Sequence, residues 1–543
     1  MDFEKKPDAE GVVENADGLH RKLSNRQIQW IAVGGSIGTA LFVSIGWGLL
    51  EGGPGSLFLG YFFYACVIGA INNSMAEMAV YMPISGSFIR FCAKWVDDAF
   101  GFMAGWNFFL YEAILIPFEI SALNLVLTFW RDDIPVGAVC AACIVIYAIL
   151  NVFAVRWFGE AEFWLSSGKV LLIIILFFFT FITMVGGNPT HDPYGFRYWN
   201  NPGAFAEYIT TGALGRFEGF LGALFAAAWT IVGPEYIAMV AGEAIYPRVT
   251  IKQAFKTVYW RFGIFFVGGA LCVGIVIPYN DPHLTNILNT SGTSTGAASP
   301  YVIAMQNMGV TGLPHLVNAL LVTSIFSAGN SYVYMATRSL YGLALDNQAP
   351  KFLTYTTRNG IPIWCFCVTM VFPFLSFLSV GSGSAQAIKW LVNLVTASQV
   401  LNYVIMGITY IFWYRALKAQ NIDRKTLPYY GWFQPWCNYF GLTFTTIIVF
   451  IQGYTVFLPG KWNVGNFFTY YTMIFVCILL YFGWKIVKRT KLVKPHEADL
   501  VWEKPIIDRY EEAAEPPLGL WEDMWFTTRK VLGKVGLKKK EVV

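Results

Sequence analysis

Apolar runs recur along this chain at the length of a membrane crossing, and that repetition constrains its fold more than any other feature. A helix needs about 20 apolar residues to traverse the hydrocarbon of a bilayer. Runs of that kind lie near 28–50, 56–82, 99–129, 134–155, 162–186, 219–244, 257–279, 314–344, 361–380, 386–414, 437–458 and 466–487. The expected fold is therefore all-α: a polytopic membrane protein with twelve transmembrane helices. Composition agrees, since 13% of the 543 residues are charged and the mean hydropathy is +0.50, against about 25% charged in ordinary globular chains. The eighth run is the least clean, with Asn318, Thr323, Ser324, Ser327, Asn330 and Ser331 along it. The first 25 residues are polar and lack the apolar stretch of a cleavable signal, so the first span is expected to act as the targeting signal. Nine cysteines, mostly inside apolar runs, do not suggest a disulfide framework, and the Cys140/Cys143 pair lacks a redox-domain context.

An even number of crossings puts both tails on one side. Of the 38 Lys and Arg, 32 then fall on the tail side and five (Arg131, Arg197, Arg216, Lys389, Lys461) on the other, with Lys169 inside a span. That count takes Arg261, Arg338 and Lys485 as lying near the tail-side ends of their spans. The bias predicts cytoplasmic termini. The connection 280–313 has no Lys or Arg and holds the sequon Asn289-Thr290-Ser291, which would face outward. Beyond Lys488 a polar tail ends in Lys538-Lys539-Lys540, and Trp521, Trp525 and Val531 suggest either a short helix on the inner leaflet or a solvated regulatory tail.

Two spans carry reasons to break. The first contains Gly34, Gly35 and Gly38 beside Ser36 and Thr39, and each glycine weakens a helix by roughly 1 kcal/mol against alanine. The sixth contains Gly233-Pro234-Glu235, where proline removes a donor and clashes with the preceding turn. Exposed backbone at membrane depth survives only where it lines a protein-enclosed cavity. Matching breaks five spans apart point to an inverted-repeat transporter with its site at the midplane. Two glycine-kinked packing helices are the plainer alternative.

Ionisable residues within spans extend the candidate site. Glu112 and Glu119 are seven residues apart and project from nearly one face of the third span. Lys169 lies seven residues past Glu162, roughly 10 Å along its helix. At about 2.5 kcal/mol or more for insertion, such groups usually face a cavity, pathway or partner. Lys169 could instead snorkel to the surface, and Glu119 could be a structural hydrogen-bonding group. Glu235, beside the second break, is the strongest functional candidate of these, whereas Glu77 reads as a gate or helix-end contact.

The motifs GGSIGTALF, GGPGSLFLG, AEMAVYMPISGSF, IPFEI, GEAEFW, the GNS at 329–331 and NLVTASQ resemble the fungal amino-acid permease family of the amino-acid–polyamine–organocation superfamily, from about Leu23 to Lys488. WRDD (130–133), FTFITMVGGNPTHDPYGFR (179–197) and IQGYTVFLP (451–459) are similar to members linked to carnitine and polyamine uptake. The resemblance implies a LeuT-type 5+5 inverted repeat plus two extra helices. It implies tails at 1–26 and 488–543, a transport core at 27–415, and the last two helices with their preceding loop at 416–487. It further implies that amides around Gly38, Thr39 and Ala40 hold a substrate carboxylate, with Ile37 in the same turn. Carbonyls near Ser36 and along Trp229, Thr230 and Val232 would meet its ammonium. Trp229 matches an aromatic gating position, although core burial would also explain one tryptophan. Lys169 matches a lysine that implies proton coupling, with Glu235 the second coupling candidate. Three departures stand out: Ala40 where many relatives have glycine, Pro234 where many have Ser or Thr, and Glu112 at a usual tryptophan. Glu112 beside the pocket would favour a cationic substrate.

The function expected is a plasma-membrane, proton-coupled symporter for amino acids or related ammonium-bearing solutes, with carnitine or polyamine import as the alternative. A sensor with little transport would share the fold. The expected partners are small solute, protons and the bilayer, with trafficking factors on the tails and no nucleic acid. No cofactor or metal is expected. The five histidines are scattered, no nucleophilic constellation is present, and no phosphate-binding GxxxxGK[ST] motif occurs, which argues against an enzyme or an ATP-driven pump.

Overall fold

The first apolar run folds as two half-helices. The computed structural model describes residues 21–513 apart from 22, 132, 153–154, 291–298, 358–359 and 381–383. In it, α1 (Asn25–Ser36) ends at Ile37, whose φ of −117° and ψ of 104° are extended. Ser24 opens α1 with a capping box, in which its hydroxyl accepts the Gln27 amide and its own amide donates to the Gln27 side chain at 3.0 Å. After Thr39 the chain rewinds through a wide π turn, Ala40–Ser44, into α2 (Ile45–Tyr81). Gly53, at φ 74°, kinks α2 just before Pro54, a left-handed conformation that favours glycine. The 42-residue unit Ala40–Tyr81 thus contains the rest of the first expected crossing and the whole of the second.

The third to fifth crossings are α3 (Asp98–Leu127), α4 (Val136–Val152) and α5 (Val155–Met184). The sixth is divided like the first: α6 (Gly212–Thr230) stops where Ile231 turns extended, and α7 (Pro234–Met239) starts after Gly233. Pro234 sits in the first turn of α7, where a missing N–H costs nothing. The seventh crossing runs from Pro247 to Val276 as α8 (Pro247–Arg261), a π turn and α9 (Gly268–Val276). The eighth is one unbroken helix, α10 (Leu313–Leu345). The ninth begins as α11 (Ile363–Thr369) and tightens to 3₁₀ winding over Phe372–Val380. The last three are α12 (Ser384–Ala419), α13 (Trp436–Ile451) and α14 (Val464–Lys488). Among the described residues nine helical stretches are long and apolar enough to cross a membrane, with α4 and α13 shorter. The molecule is an all-helical, polytopic membrane protein.

Packing explains which faces point where. Phe178, Phe181, Trp260 and Val487 are exposed, as a surface bathed in lipid rather than water permits. The polar residues that roughen the eighth run (Asn318, Ser324, Ser327, Asn330, Ser331) are buried, turned toward the bundle interior as polar intramembrane groups usually are. Helices α2 and α6 approach where both carry glycine; a Cβ on Gly52 would lie 2.6 Å from the Gly219 carbonyl oxygen, the close contact that small residues allow in membranes. Helix α1 packs on α7, while the turn Ala40–Ser44 packs on α6. The leading half of one broken span therefore lies beside the trailing half of the other, and the two run antiparallel.

The described ends of the chain meet on one face of the bundle, where the Arg21 guanidinium lies 5.0 Å from the centre of the Tyr510 ring. The segment after α14 is not simply a solvated tail. Its chain docks on this face and forms α15 (Lys504–Ala513). Trp95 donates to the Asp499 carbonyl at 3.0 Å, Tyr81 to the Leu500 carbonyl at 2.9 Å, and Arg90 to Glu503 at 2.8 Å. Arg248, at the start of α8, pairs with Asp508 at 2.6 Å and Glu511 at 3.3 Å. Residues 1–20, Trp521, Trp525, Val531, Lys538–Lys540 and the sequon's Ser291 lie outside the described residues.

Candidate functional site

The two breaks face one cavity, lined by Ser36, Gly38 and Ala40 from the first span and Trp229, Thr230 and Val232 from the sixth. Six of the residues anticipated for substrate binding are thus brought together. The sequence did not single out Tyr111, Leu115, Phe118, Tyr332 and Gln399, which complete the lining with Glu119. A signal for the α3 group was present: positions 111, 115, 118 and 119 recur at helical spacing and share one face. Trp229 meets Phe118 edge-to-face, with ring centres 5.5 Å apart.

Each broken end has a specific partner. Where α1 stops, its last turn presents carbonyls, the negative end of a helix. The Lys169 ammonium donates to the Gly34 carbonyl at 2.5 Å, and the Ser36 hydroxyl donates to the Ala32 carbonyl at 2.7 Å. Where the chain rewinds, amides and a positive end are presented, and a carboxylate is already there. The Thr39 hydroxyl donates to Glu119 at 2.5 Å. A Cβ on Gly38 would lie 2.9 Å from Glu119 Oε1, so glycine is what lets Glu119 approach the break. At the second break Glu235 accepts from the Gly233 amide at 3.1 Å and the Tyr403 hydroxyl at 2.9 Å. Gln399 donates to the Ala228 carbonyl at 2.8 Å, and Tyr61 shares a hydrogen bond with Thr230.

Several candidates sit elsewhere than expected. Lys169 is fully buried rather than snorkelling, though it does not line the cavity. Thr39 and Ile37 are buried behind the lining. Glu112 is absent from the lining. It shares a helix face with Glu119 but lies seven residues, about 10 Å, away along α3, where its neighbours are Tyr236 and Glu235. Its chain neighbour Tyr111 does line the cavity, so Glu112 lies at cavity depth while its own side chain is turned toward Tyr236 and Glu235. Glu77 is fully buried and bonds Tyr410 at 2.6 Å and Arg424 at 2.9 Å, tying the end of α2 to the chain beyond α12. Arg261 was counted with the tail-side charges. Because α8 begins at Pro247, ten residues before the apolar run, Arg261 instead lies at mid-span and donates to the Ser36 hydroxyl at 3.3 Å.

Below the cavity the tail-side face is closed. Leu23 and Ala244 form a single parallel bridge, with Leu23 donating to the Glu243 carbonyl and accepting from Ile245, both at 2.9 Å. The Glu243 carboxylate is held by Arg338 at 2.7 and 3.3 Å and by the Tyr334 hydroxyl at 2.7 Å. This ties the leading half of the first span, the trailing half of the sixth and α10 into one seal. Among the described residues no group of three or more His, Cys, Asp or Glu is placed to hold a metal ion.

Residues 27–497 match the sequence model of the amino acid permease family. The chain is 45% identical over 500 residues to the general amino acid permease AGP2 of Saccharomyces cerevisiae, covering 90% of this chain and 83% of the relative. It is 36% identical to a proline-specific permease of Emericella nidulans, covering 95% and 94%. Among solved structures, a manganese transporter of Eremococcus coleocola superposes with a TM-score of 0.54 at 12% identity, covering 90% of this chain and 95% of that one; this likeness concerns the fold alone.

Proposed function

The chain belongs to the amino acid permease family, and we propose that it is a proton-coupled symporter importing amino acids across the plasma membrane by alternating access. The observation that carries this reading is the convergence of both broken spans on one cavity. Amides at the restart of the first span suit a carboxylate, carbonyls at Ser36 and along Trp229–Val232 suit an ammonium, and Leu115, Phe118 and Trp229 suit an apolar side chain. Lys169 and Glu235 are the proposed coupling groups, because each is a buried ionisable group bonded to the backbone of a break. The basic-residue bias favours cytoplasmic tails, where they are open to trafficking factors. Residues 27–415 form the proposed transport core, followed by the last two helices to 487 and a tail from 488.

A second reading, uptake of a carboxylate-free organic cation such as a polyamine, is favoured by one observation: a resident carboxylate, Glu119, already holds the Thr39 hydroxyl where the first span restarts. Carnitine, which keeps a carboxylate, falls between the two. Uptake of labelled L-leucine, L-proline, L-glutamate, L-lysine, carnitine and spermidine into permease-deficient cells, with and without a protonophore, tests both. At least one amino acid is expected to accumulate, and to stop accumulating with the protonophore. Accumulation indifferent to the proton gradient refutes the coupling, while specific binding to purified protein without flux in vesicles would identify a sensor.

A further inference from the structure

Arg261 is 6% exposed at mid-span, and one edge of its guanidinium is unengaged among the described residues. Nη1 donates to the Ser36 hydroxyl at 3.3 Å, whereas Nε and Nη2 have no hydrogen-bond partner there. Those two nitrogens share one edge of the planar group, the edge that pairs side-on with both oxygens of a carboxylate. Buried N–H groups of a cation are costly to leave unpaired, so the open edge marks a place for an anion. The edge is uncrowded. For a Cβ on Gly233, its chain neighbours aside, the nearest atoms would be Arg261 Nη2 at 3.7 Å and Phe262 Cε1 at 3.9 Å. Ser36 and Val232, the residue before Gly233, both line the cavity, so the edge lies next to what enters. The resident charges are already committed. Glu235 interacts with the Arg261 charge, but its carboxylate accepts from the Gly233 amide at 3.1 Å and the Tyr403 hydroxyl at 2.9 Å. The Lys169 ammonium is on the Gly34 carbonyl. Glu119 holds the Thr39 hydroxyl, so a carboxylate arriving at the first-span restart meets another carboxylate, which backbone amides alone offset poorly.

We propose that the open edge of Arg261 binds the α-carboxylate of the transported amino acid, with the amides of the first-span restart holding it from the other side. This deepens the amino-acid reading and rests on it. Nε and Nη2 each donate to one carboxylate oxygen, while Nη1 stays on Ser36, whose hydroxyl fixes the plane of the guanidinium. The pairing sets a full charge against a full charge in a low-dielectric site, which amides do not supply. An arginine at membrane depth is expensive to insert and as a rule faces a partner or a pathway; a substrate carboxylate satisfies both open donors at once. No covalent bond forms or breaks. A solute without a carboxylate gains nothing from the open edge and meets a cation there instead. The site therefore prefers an amino acid to the amine with the same side chain, which bears directly on the choice between an amino acid and a carboxylate-free cation.

The test pairs leucine with leucinol, in which a hydroxymethyl group replaces the carboxylate. Binding of both, and of glutamate, is measured on purified full-length carrier as the parent, Arg261→Lys and Arg261→Gln. Arg261→Gln removes the charge and the fork together. It should raise the leucine Kd about tenfold to a hundredfold, the range for hydrogen bonds to a charged group. Arg261→Lys keeps the charge without the fork and should fall between. Glutamate should weaken as leucine does, while leucinol affinity should hold or tighten. An unchanged leucine Kd overturns the inference. So does leucinol weakening in parallel, which would make Arg261 a structural support of the break acting through Ser36. Weakening of glutamate alone would give the open edge to a side-chain carboxylate and overturn it too. Where both variants fail to fold, a structure of the parent with leucine bound decides. Carboxylate oxygens on Nε and Nη2 support the inference, and a carboxylate on the first-span amides alone overturns it. Each of these failures leaves the permease reading standing. A parent that binds none of leucine, glutamate, proline and lysine defeats the functional reading and this inference together.

Discussion

Removing Arg338 should unlock the tail-side seal, and the structure sets the size of the effect. Its guanidinium holds Glu243 through contacts of 2.7 and 3.3 Å, with both side chains about a tenth exposed or less. In Arg338→Ala the carboxylate keeps, among the described residues, only Tyr334, at 2.7 Å. Leaving one member of a buried pair uncompensated costs about 3–5 kcal/mol, and this penalty falls on the sealed state alone, because opening admits water to Glu243. At 1.4 kcal/mol per tenfold change, the sealed-to-open ratio should drop by roughly 10²–10⁴, enough to invert an equilibrium of a few kcal/mol. Arg338→Lys keeps the charge but loses the forked geometry and should shift the ratio by about tenfold. The assay is modification of a single cysteine at Ser36, a cavity-lining position, by an impermeant maleimide from the tail side in a cysteine-reduced background. The order of labelling rates should be Arg338→Ala, then Arg338→Lys, then parent. Equal rates in a variant that melts like the parent would refute the claim that this pair closes the tail side.

Three further outcomes follow from named contacts. Gly52→Ala drives a methyl to 2.6 Å from the Gly219 carbonyl oxygen, and backbone cannot easily retreat, so detergent-solubilised protein should lose about 1–3 kcal/mol of stability, read as a lower melting temperature. Trp229→Ala removes the edge-to-face partner of Phe118 at 5.5 Å and should raise the transport KM by up to about tenfold, with Trp229→Phe close to the parent; an unchanged KM for the alanine variant would exclude Trp229 from the binding surface. Burial pushes the Asp508 carboxyl up, but hydrogen bonds from Lys504 and Arg248 outweigh it and hold it below the usual range. A lowered carboxylate pKa stabilises above the unfolded value and is lost as pH falls through the folded one. Protection of α15 from proteolysis should therefore be constant from about pH 8 to 5 and weaken only below about pH 4, whereas Arg248→Glu should expose it at neutral pH.

The sequence was most informative where a single physical requirement acts alone. Lipid demands apolar length, so the crossings could be read from composition, and glycine with proline marked both breaks because helix propensity is local. Which residues along a helix reach the site was harder to read. Glu112 and Glu119 have nearly the same angular phase, yet only Glu119 meets the cavity; at the height of Glu112 it is Tyr111 that lines it, so phase alone does not say which residue of a turn reaches the site. Arg261 misled for another reason: the apolar run began at 257, but α8 begins at Pro247, and nearly three polar turns hid ten residues of helix. Tyr332 and Gln399 come from spans whose order around the cavity is set by tertiary packing, which local periodicity does not encode. The docking of residues 493–513 depends on pairings such as Arg90 with Glu503, 413 positions apart, which no window along the chain contains.

That docked segment gives the tail-side face a reporter. It touches the end of α2, the connection that follows and the first turn of α8, while the start of the chain reaches Tyr510. If opening separates these elements, the segment binds the sealed form more tightly than the open one, and coupling of this kind is reciprocal. Whatever shifts the cavity toward opening then loosens residues 499–513 to the same energetic extent, and whatever captures those residues favours opening. Occupancy of a site buried at mid-membrane becomes legible at the aqueous surface without a separate receptor, so that carrying a solute and announcing its presence would be two readouts of one equilibrium.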